Sequence, residues 1–123
     1  MFSRETCKYT FSNGKPSKFL NSFGRGVVMA SLNINSLLVH IDDLRIFVTD
    51  SKIDILAINE TKLDSSIGDS EISLPGFEVV RRDRPVNRRC GGGVCIYLRN
   101  NINYHIRHDL SDNQLEYLVI EIT

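Results

Sequence analysis

Residues 27–37 read VVMASLNINSL and residues 53–64 read IDILAINETKLD. Each stretch begins with a short apolar run rich in branched residues and ends in polar residues, the pattern of a buried strand. Between the two runs, apolar residues recur at the spacing of an amphipathic helix: Leu37, Ile41, Leu44 and Val48. The order strand, helix, strand predicts a right-handed crossover unit with two parallel strands.

The polar residues that follow these two strands are expected at one edge of the sheet. The carboxyl ends of parallel strands meet there, and open α/β sheets usually carry their sites at that edge. This arrangement predicts that Asn33 lies near Glu60. Asn33 and Asn35 also have a second interpretation, because Asn35 or Ser36 is placed to cap the following helix, which is a common use of Asn and Ser.

The flanking segments lack a second crossover. Residues 1–25 show neither helical nor strand periodicity and are expected to form a loosely ordered leader. After the polar loop 61–70, no helix pattern interrupts the remaining strand candidates, so an antiparallel meander is predicted. Its strands are expected at residues 78–82, 94–98, 104–106 and 117–122.

Composition limits the functional classes. The 123 residues, 41% apolar and 24% charged, fit a single globular domain. Lys plus Arg and Asp plus Glu both number 15, so polyanion binding requires local clustering. Three cysteines without zinc or disulfide spacing favour a reducing compartment. No signal sequence or spanning segment is recognisable, so we expect a soluble protein of the nucleus or cytoplasm without a membrane partner.

The strongest local charge feature is a run of arginines between residues 81 and 89. Guanidinium groups suit contacts with DNA phosphates. The alternative is an ordinary solvated hairpin. The run consists of Arg81, Arg82, Arg84, Arg88 and Arg89, of which the first three are the candidate nucleic-acid-binding residues.

Five short motifs, in order, resemble the endonuclease/exonuclease/phosphatase family and look most like its non-LTR retrotransposon (LINE-type) endonuclease branch. The resemblance implies a layered α/β sandwich of the DNase-I-like type, of which residues 26–123 form the first half: one strand-helix-strand unit and then antiparallel strands. The motifs are SLNINSL (31–37), ILAINETKLD (55–64), LPGFEVVRRDR (74–84), GGGVCIYLRNN (91–101) and LEYLVIEI (115–122).

The resemblance also implies roles for individual residues. Asn33 matches the first active-site Asn, and Glu60 matches the Glu that binds Mg²⁺, or alternatively Mn²⁺. Asn35 lies where some members place an acidic residue close to the metal. Lys62 corresponds to a lysine beside the metal site and is the candidate phosphate-binding residue, whereas Asn59 departs from the Gln common before that Glu.

Elementary chemistry is compatible with these roles. Mg²⁺ is often held by only one or two carboxylates and several waters, and it neutralises charge on a phosphate. A neutral amide such as that of Asn33 can orient a phosphate oxygen or a water. The bland alternative for Glu60 is a solvated carboxylate at a strand end.

The family motifs that activate water are absent from the 123 residues. These are an active-site Tyr, an Asp-x-Asn motif and an Asp-His pair, which the family carries in its later half. We therefore expect a partial domain of a metal-dependent DNA endonuclease, inactive alone, with DNA as the partner of the parent protein. Two alternatives stay open: an inositol- or lipid-phosphate phosphatase of the same family, and a non-catalytic nucleic-acid-binding module.

Overall fold

The computed structural model describes residues 6–9, 26–84, 92–110 and 117–123. Its main sheet is mixed and contains β1 (Thr6–Tyr9), β2 (Met29–Asn33), β3 (Ile55–Asn59), β4 (Phe77–Arg82) and β5 (Val94–Arg99), in the order β1-β2-β3-β5-β4. A second, antiparallel sheet consists of β6 (Tyr104–Ile106) and β7 (Ile120–Ile122). The helix α1 spans Leu37–Thr49, and short 3₁₀ turns span Asp69–Ile72 and His108–Leu110.

The predicted strand-helix-strand unit with parallel strands is confirmed. β2 and β3 are parallel neighbours, with Met29 opposite Ile55 and Asn33 opposite Asn59. The helix α1 connects the two strands and buries the apolar face that the helical spacing predicted. Phe47 also belongs to this face, which consists of Leu37, Ile41, Leu44, Phe47 and Val48. Burial of this face against the sheet supplies the apolar free energy that holds the helix in place.

The later strands differ from the predicted meander. β4 and β5 form an antiparallel hairpin, but β5 lies between β3 and β4, with Cys95 opposite Ile58. Strand β6 pairs with β7 in the separate sheet rather than with β5. The physical reason is burial: β5 contributes Cys95, Tyr97 and Leu98 to the core and takes an inner position, whereas the charged β4 occupies an edge. The predicted strand 117–122 is also shorter in the structure.

The main sheet is covered differently on its two faces. On one face α1 and the loop 63–74 enclose the larger core, which includes Leu32, Leu56 and Tyr97. On the other face Ile55, Val80 and Leu98 pack against partly buried residues of the second sheet and its connections, among them Ile102, Leu118 and Ile120. The chain is therefore a mixed α/β structure with a helix on one side of the sheet and a small antiparallel sheet on the other.

The N-terminal segment differs from the expected leader at four residues. Thr6–Tyr9 pairs with β2 as a parallel strand, Thr6 lying opposite Met29. A strand this short has too few residues to show a period, so sequence periodicity does not reveal it. The rest of the predicted leader lies outside the described residues, as do Arg88, Arg89 and Cys90. Across the parts of the chain that are described, no helix is long and apolar enough to cross a membrane.

Candidate functional site

The segments that follow β2 and β3 run side by side at one edge of the sheet. Asn33 and Asn59 are register partners. Beyond them, the Ser36 N–H donates a hydrogen bond to the Glu60 carbonyl at 2.9 Å, and the Leu37 N–H donates to the Thr61 carbonyl at 2.9 Å. The structure thus brings the segments carrying Asn33 and Glu60 together, as the parallel crossover predicts.

The start of α1 is held in a different way from the predicted cap. Ser36 is the N-cap residue, but neither it nor Asn35 makes a side-chain cap hydrogen bond. Both residues have positive φ, 49° at Asn35 and 91° at Ser36, whereas an N-cap side chain normally caps from an extended backbone. Instead, the N–H groups of Ser36 and Leu37 donate to the carbonyls of Glu60 and Thr61. These hydrogen bonds join the start of the helix to the loop that carries Glu60.

Left-handed backbone is concentrated at this edge. Glu60 has φ 59° and Lys62 has φ 54°. Together with Asn35 and Ser36, they are all the non-glycine residues with positive φ in the described chain. Such conformations cost about 1–3 kcal/mol each and persist where surrounding contacts impose them, often at binding sites. Three of these four residues are ones that the sequence motifs singled out.

The contacts that impose this backbone come from the turn before β5. The Thr61 N–H donates to the Gly93 carbonyl at 3.2 Å, and the Lys62 N–H donates to the Gly92 carbonyl at 2.8 Å. In return, the Gly92 N–H donates to Oε2 of the Glu60 carboxylate at 3.1 Å. The two glycines have positive φ values, 73° at Gly92 and 87° at Gly93, which glycine adopts without strain.

Thr61 is a site residue that sequence reasoning missed. It is only 1% exposed, and among the described residues its Oγ1 is the buried side-chain polar atom without a hydrogen-bond partner. A Cβ built on Gly93 would overlap this oxygen. The glycine run was the available signal, but it does not say which side chain a missing Cβ accommodates.

The donor set at this edge fits a hard cation held mainly by water. Glu60 is half-buried, and no hydrogen bond from a described residue reaches its Oε1. The exposed Asn33 and Asn35 add amide oxygens on the same edge. In the described parts of the chain, three or more His, Cys, Asp or Glu residues do not gather as a metal-ligand group. One carboxylate with neutral oxygens suits Mg²⁺ or Mn²⁺ better than a soft metal.

Arg81 has a structural role that the predicted DNA contact did not anticipate. Its side chain is 14% exposed and pairs with Asp83 at 2.6 Å and with Asp69 at 3.1 Å. It also donates to the carbonyls of Ile67 and Asp64 at 2.7 and 3.0 Å. The hydrogen bond to Asp83 contributes most to raising the pKa of Arg81. These contacts join the loop 64–69 to β4, so the guanidinium already binds carboxylates and carbonyls within the protein.

The other two arginines of the predicted cluster occupy different places. Arg82 donates to the Tyr117 carbonyl at 3.1 Å, and its guanidinium lies 5.8 Å from the Tyr117 ring centroid, so it contacts the segment before β7. Arg84 lies against Gly92, where an added Cβ would fall 2.5 Å from the Arg84 Cζ. Of the three arginines, Arg84 is the one that contacts the glycine whose N–H donates to Glu60.

Comparison of the chain with protein-family models, with curated proteins and with solved structures finds no match.

Proposed function

We propose that this chain carries the cation-binding edge of a metal-dependent phosphodiester hydrolase domain of the endonuclease/exonuclease/phosphatase type, with DNA as its substrate. One observation carries the proposal: the half-buried Glu60 carboxylate, on left-handed backbone, is held by the Gly92 N–H beside the end of β2 and Asn33. An ordinary surface carboxylate at a strand end is hydrated and is not held by a backbone N–H from a distant turn.

We propose a separate role for each residue at this edge. Mg²⁺ or Mn²⁺ bound there neutralises charge on a phosphate and stabilises the charge that develops during hydrolysis. Glu60 holds the cation, with Asn35 contributing an amide oxygen from the neighbouring segment. Asn33 orients a phosphate oxygen without adding charge. Lys62 and Arg84 supply positive charge for further phosphates of the strand.

The architecture supports the same proposal. The structure has mixed α/β architecture, with a crossover unit, an antiparallel hairpin beside it and a second small sheet. We propose that these elements form the first half of a DNase-I-like sandwich of the retrotransposon endonuclease branch. Because the family's water-activating motifs do not occur in the 123 residues, we propose that the chain alone binds cation and DNA but does not hydrolyse DNA. Asn33 and Glu60 would serve a phosphatase equally well, so the choice of DNA as substrate rests on the resemblance of the motifs to the retrotransposon branch.

Mn²⁺ binding to the chain as it stands tests the proposal. Titration followed by electron paramagnetic resonance of free Mn²⁺ should show one weak site, and Glu60→Gln, which keeps size and removes charge, should lower its affinity at least about tenfold. Asp50→Asn is the matched control, because this exposed carboxyl lies at the far end of α1, about 20 Å from the helix start. A wild-type chain without a Mn²⁺ site, or equal affinities in wild type and Glu60→Gln, would contradict the proposal.

A further inference from the structure

The Glu60 carboxylate does not reach its position by side-chain preference alone. A solvated Glu side chain samples many rotamers, and ordering it on binding a cation costs conformational entropy. Here the Gly92 N–H donates to Oε2 at 3.1 Å and so restricts the rotamers of the Glu60 side chain. Groups that orient a metal ligand in this way commonly change metal affinity when they are removed.

The backbone beneath Glu60 is clamped from both sides. The N–H groups of Thr61 and Lys62 donate to the carbonyls of Gly93 and Gly92, and the carbonyls of Glu60 and Thr61 accept from the first residues of α1. The loop that presents Glu60 is therefore shared between a helix start and a glycine turn. Both supports are distant in sequence, because the helix start precedes Glu60 across the whole of α1 and Gly92 follows Glu60 by 32 residues.

The approach of the turn to the loop depends on the absence of a Cβ at Gly93. A Cβ there would overlap Thr61 Oγ1, and Thr61 is buried and cannot move aside into solvent. Gly93 also has φ 87°, which L-residues rarely adopt. The turn and the threonine therefore fit together as a pair, and the fit sets how close Gly92 comes to Glu60.

We propose that Thr61 and Gly93 are positioning residues, whose close fit sets the Gly92 N–H against the Glu60 carboxylate and so presents that carboxylate to a divalent cation. The inference rests on the proposed function only for the cation. The positioning itself concerns residues of this chain and has its own measurement.

Gly93→Ala is the direct test, with Gly76→Ala as the matched control. Gly76 has nearly the same positive φ, 83°, but a Cβ there meets only the Arg99 Nη1 at 3.5 Å, so this variant carries the backbone strain without the overlap. Hydrogen exchange of the Gly92 amide, followed by NMR, reports the hydrogen bond to Glu60. Gly93→Ala should lose this protection and lower Mn²⁺ affinity about tenfold, whereas Gly76→Ala should change neither.

Thr61→Ala completes a double-mutant cycle. Alone it removes the side-chain atoms that Gly93 packs against but keeps the two backbone hydrogen bonds to the turn, so it should lower both readouts by a smaller factor than Gly93→Ala, with no overlap to threaten the fold. Combined with Gly93→Ala it removes the oxygen that the new Cβ meets and should restore part of both readouts, so the two effects are not additive. If Gly93→Ala does not fold, Thr61→Ala and the double variant still give the answer.

Two results overturn the inference: wild-type protection of the Gly92 amide together with wild-type Mn²⁺ affinity in folded Gly93→Ala, or the same pair of results in Thr61→Ala. Failure of the proposed function looks different. There the wild-type chain binds no Mn²⁺, while Gly93→Ala still loses the protection of the Gly92 amide and the double variant Thr61→Ala/Gly93→Ala regains part of it.

Discussion

The Gly92 N–H and the Glu60 carboxylate are joined by a 3.1 Å hydrogen bond across 32 residues of sequence. The Arg84 guanidinium lies on the Cβ side of the same glycine, where an added Cβ would fall 2.5 Å from its Cζ. The turn before β5 therefore belongs to the candidate site as much as the loop after β3 does.

Asn33→Ala should separate phosphate orientation from cation binding. Asn33 is exposed at the end of β2, so its loss should change the free energy of unfolding by less than about 0.5 kcal/mol. We expect Mn²⁺ affinity to stay within about twofold of wild type, while the gain in DNA affinity that Mn²⁺ produces becomes smaller. Oligonucleotide binding by fluorescence anisotropy, with and without Mn²⁺, measures this gain. A loss of Mn²⁺ affinity as large as that of Glu60→Gln would instead make Asn33 a direct ligand.

Arg81→Ala should act on stability. The substitution leaves Asp83 and two backbone carbonyls without their partner in a partly buried place, and we expect a loss of about 2 kcal/mol in the free energy of unfolding. Arg107 is the matched control, because it also pairs with two carboxylates but at a more exposed position, where solvent screening leaves such pairs with little effect on stability. Urea denaturation of both variants decides, and equal losses would show that Arg81 is no more structural than Arg107.

Arg84→Ala should act on DNA binding. If its guanidinium contacts a phosphate beside Glu60, the variant binds DNA more weakly and the slope of log affinity against log salt decreases by about one. Arg82→Ala is the comparison, because Arg82 contacts the segment before β7 and should leave that slope unchanged. An unchanged slope in Arg84→Ala would leave Arg84 as solvated surface.

Stability should fall in alkali because of two buried groups in β5. Burial raises the pKa of Cys95 and of Tyr97 well above their ordinary values of 9.0 and 10.0. Above about pH 9 the unfolded chain therefore releases protons that the folded chain retains, so the free energy of unfolding is fully present below that pH and decreases as pH rises. Urea denaturation between about pH 7 and 10.5 measures the decrease.

Tyr97→Phe isolates the tyrosine. The variant lacks the titrating hydroxyl, so its alkaline decrease should be shallower than that of wild type. At neutral pH it should lose about 1 kcal/mol, because the Ile72 carbonyl no longer accepts the 2.6 Å hydrogen bond. An alkaline decrease as steep as in wild type would rule out Tyr97 as its source.

The crossover unit could be predicted from the sequence because its determinants are local. The apolar runs of β2 and β3 and the helical spacing of Leu37, Ile41, Leu44 and Val48 each act within one element, and the handedness of the connection follows from chain chirality. The proximity of Asn33 to the Glu60 segment follows in turn, since parallel strands end at one edge.

Only the tertiary structure decided which segment packs against the loop that carries Glu60. The pairing of β5 with β3 depends on which strand buries most surface, which no local pattern specifies. Consequently the sequence could not predict that Gly92 contacts Glu60 or that Gly93 packs against Thr61. It also could not predict the ion pairs of Arg81 with Asp69 and Asp83. In a strand, neighbouring residues such as Arg81 and Arg82 point to opposite faces, so their adjacency in sequence does not make them one cluster in space.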